Sequence, residues 1–410
     1  MTPTSRSYAH LALLSLAVTV AAGVWLRSIP LWPSLLGGVV YGNAVHAHSH
    51  LALFGWATMG LMAAIVARIG DRASPRLRWH AWAVGGASGV AFLAFLHQGY
   101  GVLSIVISTL QVVLWVVFVA AVWRRTALLH HTTRSWVRAA LGCLMVAAAG
   151  SILPGAATAS SASHAVQRIA VELFLTVVIQ GWLFIGALAI LVGPGPRARW
   201  HGPALAMLLS GMLPAVLTRV PGVESEALLV LGRTGLLLTG AGSLLVAWSA
   251  WPRRDAANPS RVSAWLRLAL ACVAAKGASE LVAAAEPEGM LVLLRPVVIA
   301  YLHLVLLGAL TSALVVALVP ASSLVARSAP VHAAGLALTL GALGMMALPD
   351  LLGRALPFAG RPMYAVAFTG GVLSAASLGT VVIASLVRGW RERAVRTGSV
   401  FGTSPAPALD

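Results

Sequence analysis

Charged residues are scarce in this chain, and acidic ones most of all. Only 10% of the 410 residues are charged, and 11 Asp and Glu stand against 28 Lys and Arg. Cysteine is almost absent: Cys143 and Cys272 lie in separate apolar runs, without the short spacing of a zinc or iron–sulfur site. The two cysteines therefore indicate no metal site and say little about the redox compartment.

Long polar stretches are missing too, which leaves no room for a soluble domain. Apolar residues make up 59% of the chain, and the mean hydropathy is +0.89. Several runs are long enough to cross a bilayer, which takes about 20 apolar residues in a helix. A membrane barrel would alternate in polarity every second residue, and these runs do not. The first run, near residues 8–26, has no cleavage-site pattern and is expected to be a retained helix.

We therefore predict an all-α, polytopic membrane bundle of 12 transmembrane helices. The spans are expected near residues 8–26, 45–67, 79–97, 101–123, 136–154, 169–192, 203–219, 227–250, 263–284, 296–319, 331–348 and 363–387. They should form a single transmembrane domain over residues 1–388. Residues 389–410 are expected to be a disordered cytoplasmic tail.

The distribution of basic residues indicates the membrane topology rather than binding to a nucleic acid. Most of the 28 Lys and Arg fall in alternate loops on the side of the N-terminus, such as residues 68–78 and 124–138. This is the positive-inside pattern, so both termini are predicted to be cytoplasmic. The expected location is a bacterial-type inner (plasma) membrane, crossed many times. The net charge of +17 then predicts contact with membrane lipids and no binding of nucleic acid.

A short sequence block occurs three times. His50–Gly55 reads almost letter for letter as His303–Gly308, and Thr176–Gly181 is a degraded copy. The blocks begin 126 and 127 residues apart, which predicts three four-helix pseudo-repeats. The units would cover approximately residues 1–125, 126–254 and 255–388. Spans two, six and ten then cross in the same direction, so His50, Thr176 and His303 should lie at similar depth, where two helices could hold one flat cofactor.

Histidines cluster at the outer end of the second span, where ionisable residues are costly unless they have a function. His46 and His50 are four apart and share a helix face, while His48 points about 160° away. One helix therefore cannot present all three to one metal. Neutral imidazole is a good ligand for iron, copper and zinc, and His303 in the tenth span offers another. The alternatives are an interfacial place for His46 and His48 and a helix–helix hydrogen bond for His303.

These residues resemble subunit I of the haem–copper oxidase superfamily. That family has twelve helices with both termini cytoplasmic, and its low-spin haem is ligated by one histidine in helix two and one in helix ten. His50 and His303 match these positions, with His48 as the alternative on helix two and His46 as a further candidate. The resemblance implies a bis-His b-type haem. The Phe54–Gly55 step also resembles related membrane proteins implicated in handling nitric oxide.

The chain differs from the family at the residues that bind the high-spin haem and copper, where the family reduces oxygen. Tyr301 stands where helix ten would ligate the high-spin haem, and Thr176 stands where helix six would ligate copper. Residues 204–219 lack the paired histidines of helix seven. The resemblance then implies a haem for electron transfer or for handling oxygen or nitric oxide, without copper and without terminal-oxidase activity. An enzyme of this kind would be an oxidoreductase with a cytochrome or quinone donor, and a second cofactor near Thr176 and Tyr301 stays open.

Charged residues outside the histidine cluster also enter the prediction. In the family the haem propionates lie against arginines between helices eleven and twelve, so the resemblance assigns Arg361, together with Arg354, to cofactor binding. Lys276 and Glu280 are four apart in the ninth span and can neutralise one another.

Two other functions fit the same residues. A transporter of a metal or small solute could use His46, His48 and His50 as its entrance and Lys276 with Glu280 as a coupling pair. Alternatively, an enzyme could hold one non-haem metal with the outer histidines. A haem absorption spectrum separates the first function from these two, whose preparations would be colourless and loaded with zinc or copper.

Overall fold

The computed structural model describes residues 1–70, 76–194, 197–220, 225–252, 263–286, 291–320, 322–352 and 360–401. These ranges are almost entirely helical and contain no strand, as predicted. The helices, numbered here in chain order, are α1 Pro3–Ser28, α2 Tyr41–Ile69, α3 Arg76–Gln98, α4 Val102–Leu128, α5 His131–Ala157, α6 His164–Leu191, α7 His201–Met212, α8 Glu226–Ala250, α9 Ala264–Ala285, α10 Arg295–Leu318, α11 Ser323–Leu352 and α12 Arg361–Arg388.

Within the described part of the chain, eleven helices are long and apolar enough to cross a membrane. The multi-pass character of the protein therefore agrees with the prediction. The span expected at 203–219 differs, because its α-helix ends at Met212 and continues as a 3-10 turn over Pro214–Arg219. Proline lacks the backbone N–H that the helix needs and clashes with the preceding turn. At 1.5 Å per residue, α7 is only about 18 Å long.

Helix ends follow from a few local residues. The side chains of Thr2 and Ser163 accept hydrogen bonds from the first turns of α1 and α6, as N-caps do. Gly70 and Gly99 follow α2 and α3 with φ of 77° and 59°, a conformation that stops a helix and favours glycine. The helix that contains α12 runs on to Phe401, into the segment expected to be a disordered tail.

Helices α2, α6 and α10 share an uncommon local geometry. Each contains a π-helical stretch, and these are Leu51–Thr58, Val177–Ile185 and Leu304–Leu310. Each stretch begins one residue after the first residue of a repeated block, that is after His50, Thr176 and His303. π-Helical turns are rare and concentrate at functional sites. The three repeated blocks therefore share a local backbone geometry as well as a sequence pattern.

Each repeated block ends in a glycine that lies against a neighbouring helix. A Cβ atom added to Gly55, Gly181 or Gly308 would come under 3.0 Å from a side chain on α1, α5 or α9. Those side chains are Ser15, Cys143 and Cys272 respectively. Glycine at these three positions thus permits close approach of neighbouring helices. Both cysteines are buried packing residues in these contacts.

Hydrogen bonds from two tryptophans join helices α2, α6 and α10, which are called the three inner helices below. Nε1 of Trp56 in α2 donates to Oγ1 of Thr311 in α10 at 2.9 Å. Nε1 of Trp182 in α6 donates to Oγ1 of Thr58 in α2 at 3.0 Å. Buried indole N–H groups need such partners, so the two tryptophans hold helices together.

Two glycines complete the packing of the same three helices. A Cβ on Gly60 of α2 would be 2.6 Å from Leu314 of α10, and a Cβ on Gly186 of α6 would be 2.7 Å from Leu61 of α2. In both places a leucine fills the space that glycine leaves. Since lipid is as apolar as leucine, close contacts of this kind supply much of the attraction between membrane helices.

The contact between α7 and α8 gives a stability prediction. A Cβ on Gly235 would be 2.7 Å from the carbonyl oxygen of Gly211, which is backbone and cannot rotate away. We expect Gly235→Ala to destabilise the protein by about 1–3 kcal/mol, the usual range for overpacking. The matched control is Gly142→Ala in α5, which meets nothing within 4 Å and should be neutral or stabilising. Thermal unfolding of both variants in detergent checks this, and equal midpoints would contradict it.

Candidate haem site

The ring of His48 lies between α1 and α2. A Cβ atom on Gly23 would be 3.1 Å from Cε1 of His48, so the imidazole packs directly on the α1 backbone. Its Nδ1 atom is buried and has no hydrogen bond of normal geometry, and the same holds for Nδ1 of His50, while the backbone of Thr19 lies within reach of the His48 ring. Buried polar atoms are nearly always paired, so both rings are unusual in this respect, and it is the contact with α1 that distinguishes His48.

His303 is the last residue of α10 before its π-helical stretch. Its Nδ1 is 2.7 Å from the carbonyl oxygen of Ile299. A carbonyl oxygen can only accept, so Nδ1 carries the proton and donates it. Nε2 then keeps a free lone pair. Metal-ligating histidines are usually held in this way, with the second ring nitrogen donating to a carbonyl or carboxylate.

His48 and His303 share one electrostatic environment with Arg27. Each imidazole is within Coulombic range of the Arg27 guanidinium, and His303 is also within range of His48. Arg27 lies in the last turn of α1 and packs against α12, where a Cβ on Gly371 would be 3.2 Å from its Cδ. The structure thus brings side chains of α1, α2 and α10 together in one region.

His50 faces the other side of α2. Its ring stacks on Phe95 of α3 with centroids 3.8 Å apart, and His46 lies edge-on to Tyr100 at 4.8 Å. Its histidine neighbour is His46 rather than His303. The predicted division of the cluster between two faces is confirmed. His48, rather than His50, is the histidine of α2 that lies near His303, because two residues along a helix turn the side chain by about 200°.

The donor set suits a porphyrin iron better than a bare metal ion. Within the described ranges, no group of three or more His, Cys, Asp or Glu side chains is placed to hold a metal. A zinc site takes about four ligands, and the split of His46 and His50 from His48 prevents that here. Haem brings its own equatorial nitrogens, so two imidazoles on opposite sides complete the iron coordination.

A second group of polar side chains connects α6, α9 and α10. Nζ of Lys276 is 2.8 and 2.7 Å from the two carboxylate oxygens of Glu280, and both residues are buried. Their expected mutual neutralisation is confirmed. The Tyr301 hydroxyl donates to Oε1 of Glu280 at 2.7 Å, and the amide of Gln180 donates to the Tyr301 oxygen. The participation of Gln180, which lies in the degraded sequence block, was not anticipated.

The predicted loop arginine, Arg361, contacts the segment that follows α1. Arg361 is exposed and donates to the carbonyl oxygen of Leu31 at 3.2 Å, which ties α12 to the end of α1. Arg354 lies outside the described residues. The arginine that approaches both imidazoles is Arg27, which the sequence analysis missed. A single arginine at the end of an apolar run, one helix before the histidine cluster, is the signal that could have found it.

Comparison with known proteins does not extend this description. No protein-family model matches the chain, and no curated protein sequence matches it significantly. The function is therefore argued from the residues themselves.

Proposed function

We propose that this protein holds one b-type haem in the membrane, between His48 of α2 and His303 of α10. The observation that carries the proposal is the convergence of these two imidazoles from different helices, with His303 held through Nδ1 so that Nε2 is free to bind iron. The function is electron transfer or the handling of a small gas such as oxygen or nitric oxide. A cytochrome or quinone would supply electrons.

Three related four-helix units support this assignment. The two Trp–Thr hydrogen bonds and the two Gly–Leu contacts each occur once between α2 and α10 and once between α6 and α2. Trp182 follows Trp56 by 126 residues, as Gly186 follows Gly60. Thr311 follows Thr58 by 253 residues, as Leu314 follows Leu61. One contact set thus recurs at successive interfaces. We infer a pseudo-threefold axis between the three inner helices.

The same steps identify the equivalents of the two histidines. Tyr301 is 253 residues after His48, and Thr176 is 127 residues before His303, so these two occupy the corresponding places between α10 and α6. Between α6 and α2 the corresponding residues are Phe174 and His50. Since two imidazoles occur only between α2 and α10, this symmetry predicts one haem per chain.

The resemblance to haem–copper oxidase subunit I is consistent with a bis-His haem. The same resemblance gives no support for a site of oxygen reduction. Tyr301 and Thr176 occupy the places of the family's high-spin haem and copper ligands, and neither is a histidine. The chain would therefore keep the electron-transfer site and lack the site of oxygen reduction. We propose no copper and no terminal-oxidase activity.

The surrounding residues would set the orientation and potential of the cofactor. When bound, haem supplies one-electron chemistry. The carbonyl of Ile299 fixes the tautomer of His303, and Gly23 leaves room for the ring of His48 against α1. Arg27 places a positive charge beside both imidazoles. That charge disfavours the more positive, oxidised form of the site and raises its reduction potential.

Removing that charge is expected to change the midpoint potential but not the haem content. We expect Arg27→Gln to lower the potential by some tens of millivolts, on the scale of one elementary charge at an effective dielectric constant of about 20. Arg361→Gln is the matched control, because Arg361 is exposed and bonded to Leu31. Potentiometric titration checks the pair. Equal potentials in the two variants would refute the role given to Arg27.

Spectroscopy of the purified protein tests the proposed function. A bis-His haem is six-coordinate, so the oxidised protein should give a low-spin ferric electron paramagnetic resonance signal, and dithionite should give sharp α and Soret bands. A high-spin signal would contradict ligation by two histidines. A colourless preparation containing zinc or copper would contradict the haem itself.

A further inference from the structure

Arg219 has a place in the structure that the proposed haem does not use. It ends the 3-10 turn after α7 and is half-buried. Its guanidinium lies over the ring of Tyr301, 5.8 Å from the centroid, and one N–H reaches Oγ1 of Thr176 at 3.5 Å. The latter distance is at the limit for a hydrogen bond. Toward the described residues, this side chain with its five donors therefore makes one weak hydrogen bond.

The carboxylate of Glu280 is already engaged. Both of its oxygens accept hydrogen bonds from Nζ of Lys276, and Oε1 also accepts from the Tyr301 hydroxyl. Among the described residues, Arg219 forms no ion pair, and the ion pair found there is Lys276 with Glu280. Together, the side chains of Arg219, Lys276 and Glu280 carry a net charge of +1. Charged side chains are costly in a membrane protein and usually mark a site of function.

The chemistry of the cluster points to one kind of ligand. A guanidinium is a planar fork that binds a carboxylate through two parallel hydrogen bonds, which an ammonium cannot do. Beside it, the hydroxyl of Thr176 accepts from Arg219 and can donate its own proton to a ligand oxygen. Thr176 is 2% exposed, so such a bond would be shielded from water.

We propose that Arg219 and Thr176 form a binding site for a small carboxylate. One carboxylate would accept two hydrogen bonds from Arg219 and one from Thr176, and would bring the net charge of the cluster to zero. Tyr301 and Gln180 form one wall through their own hydrogen bond. This site lies at the interface of α6 and α10, whereas the haem proposal concerns α2 and α10, so neither proposal depends on the other.

Formate is the simplest probe. The full chain, purified in an uncharged detergent, would be titrated with sodium formate against sodium chloride at equal ionic strength, and the thermal unfolding midpoint recorded. Formate should raise the midpoint along a saturable curve, and chloride should not. Arg219→Gln should weaken the apparent affinity at least tenfold, because charge-assisted bonds are lost, and Arg219→Lys should weaken it less. Arg168→Gln, an exposed arginine at the start of α6, should leave it unchanged.

Each other result overturns the proposal. An effect that does not saturate, or that Arg219→Gln retains, removes the site. A response to chloride or inorganic phosphate but not to formate assigns it to another anion, and a response only to phosphatidylglycerol in nanodiscs assigns it to a lipid headgroup. If Arg219→Gln does not fold, Thr176→Val provides the second test and should weaken formate severalfold. The haem spectrum should be unchanged throughout, which separates this outcome from failure of the haem proposal.

Discussion

His48→Ala is expected to abolish haem binding, whereas His50→Ala should leave it nearly intact. The two histidines are two residues apart on the same helix, so the substitutions change composition and helix propensity equally. They face different helices, because His48 packs on Gly23 of α1 while His50 stacks on Phe95 of α3. Loss of a ligand should reduce the bound haem to less than about a tenth of the wild-type amount.

The measurement is the Soret absorbance relative to protein in preparations of equal mass. His303→Ala should behave like His48→Ala, and added imidazole should restore part of the spectrum in both, because it can replace a missing ligand. Loss of haem in His50→Ala with retention in His48→Ala would reverse the assignment. Retention in both variants would exclude α2 as the source of a ligand.

Glu280→Gln should be among the most destabilising single substitutions in the protein. It removes the charged partner of Lys276, whose side chain is fully buried. Among the described residues, the ammonium then keeps a hydrogen bond to Oγ of Ser243 at 3.3 Å. Breaking a buried ion pair in this way typically costs about 3–5 kcal/mol. The glutamine amide would keep a single acceptor oxygen, which Lys276 and the Tyr301 hydroxyl would then have to share.

The double variant Lys276→Met/Glu280→Leu distinguishes charge from packing. Replacing a buried pair by apolar residues of similar size is often neutral or stabilising, so we expect it to recover most of the lost stability. The check is the midpoint of thermal or denaturant unfolding of both variants in the same detergent. If the double variant is as unstable as Glu280→Gln, the cluster is held by shape or by Tyr301 rather than by compensation of charge.

The fold was predictable to the extent that it depends on apolar length. Runs of about 20 residues must be helical in lipid, and eleven of the expected spans are found in the described residues. The exception at α7 depends on Pro214, whose effect outweighs the apolar character of its surroundings. The π-helical stretches were not predicted, since they reflect packing among three helices rather than the residues of any one helix.

The candidate site was predictable in its residue types but not in its geometry. Sequence spacing separates His48 from His46 and His50, yet it does not state which face of α2 meets α10. That depends on Gly23, which lets α1 approach His48, and on Phe95, which occupies the opposite face beside His50. Contacts between distant parts of the chain fix the choice, so no local pattern contains it.

The position of Arg27 has the same origin. Along the chain it is a basic residue at the end of the first span, where a loop or interface role is the usual interpretation. In the structure α12 packs alongside α1, and Gly371 leaves the space in which the arginine side chain lies. The residue thus enters the site through a contact between the first and last spans.

The most direct test of the account is the ratio of haem to polypeptide in the purified wild-type protein. The pyridine haemochrome assay measures b-type haem, and amino-acid analysis measures the chain. We predict a ratio of one, because His48 and His303 are the one pair of imidazoles at an interface of the three inner helices in the described residues. A ratio of zero would contradict the haem proposal, and a ratio of two would contradict the role given to Tyr301 and Thr176.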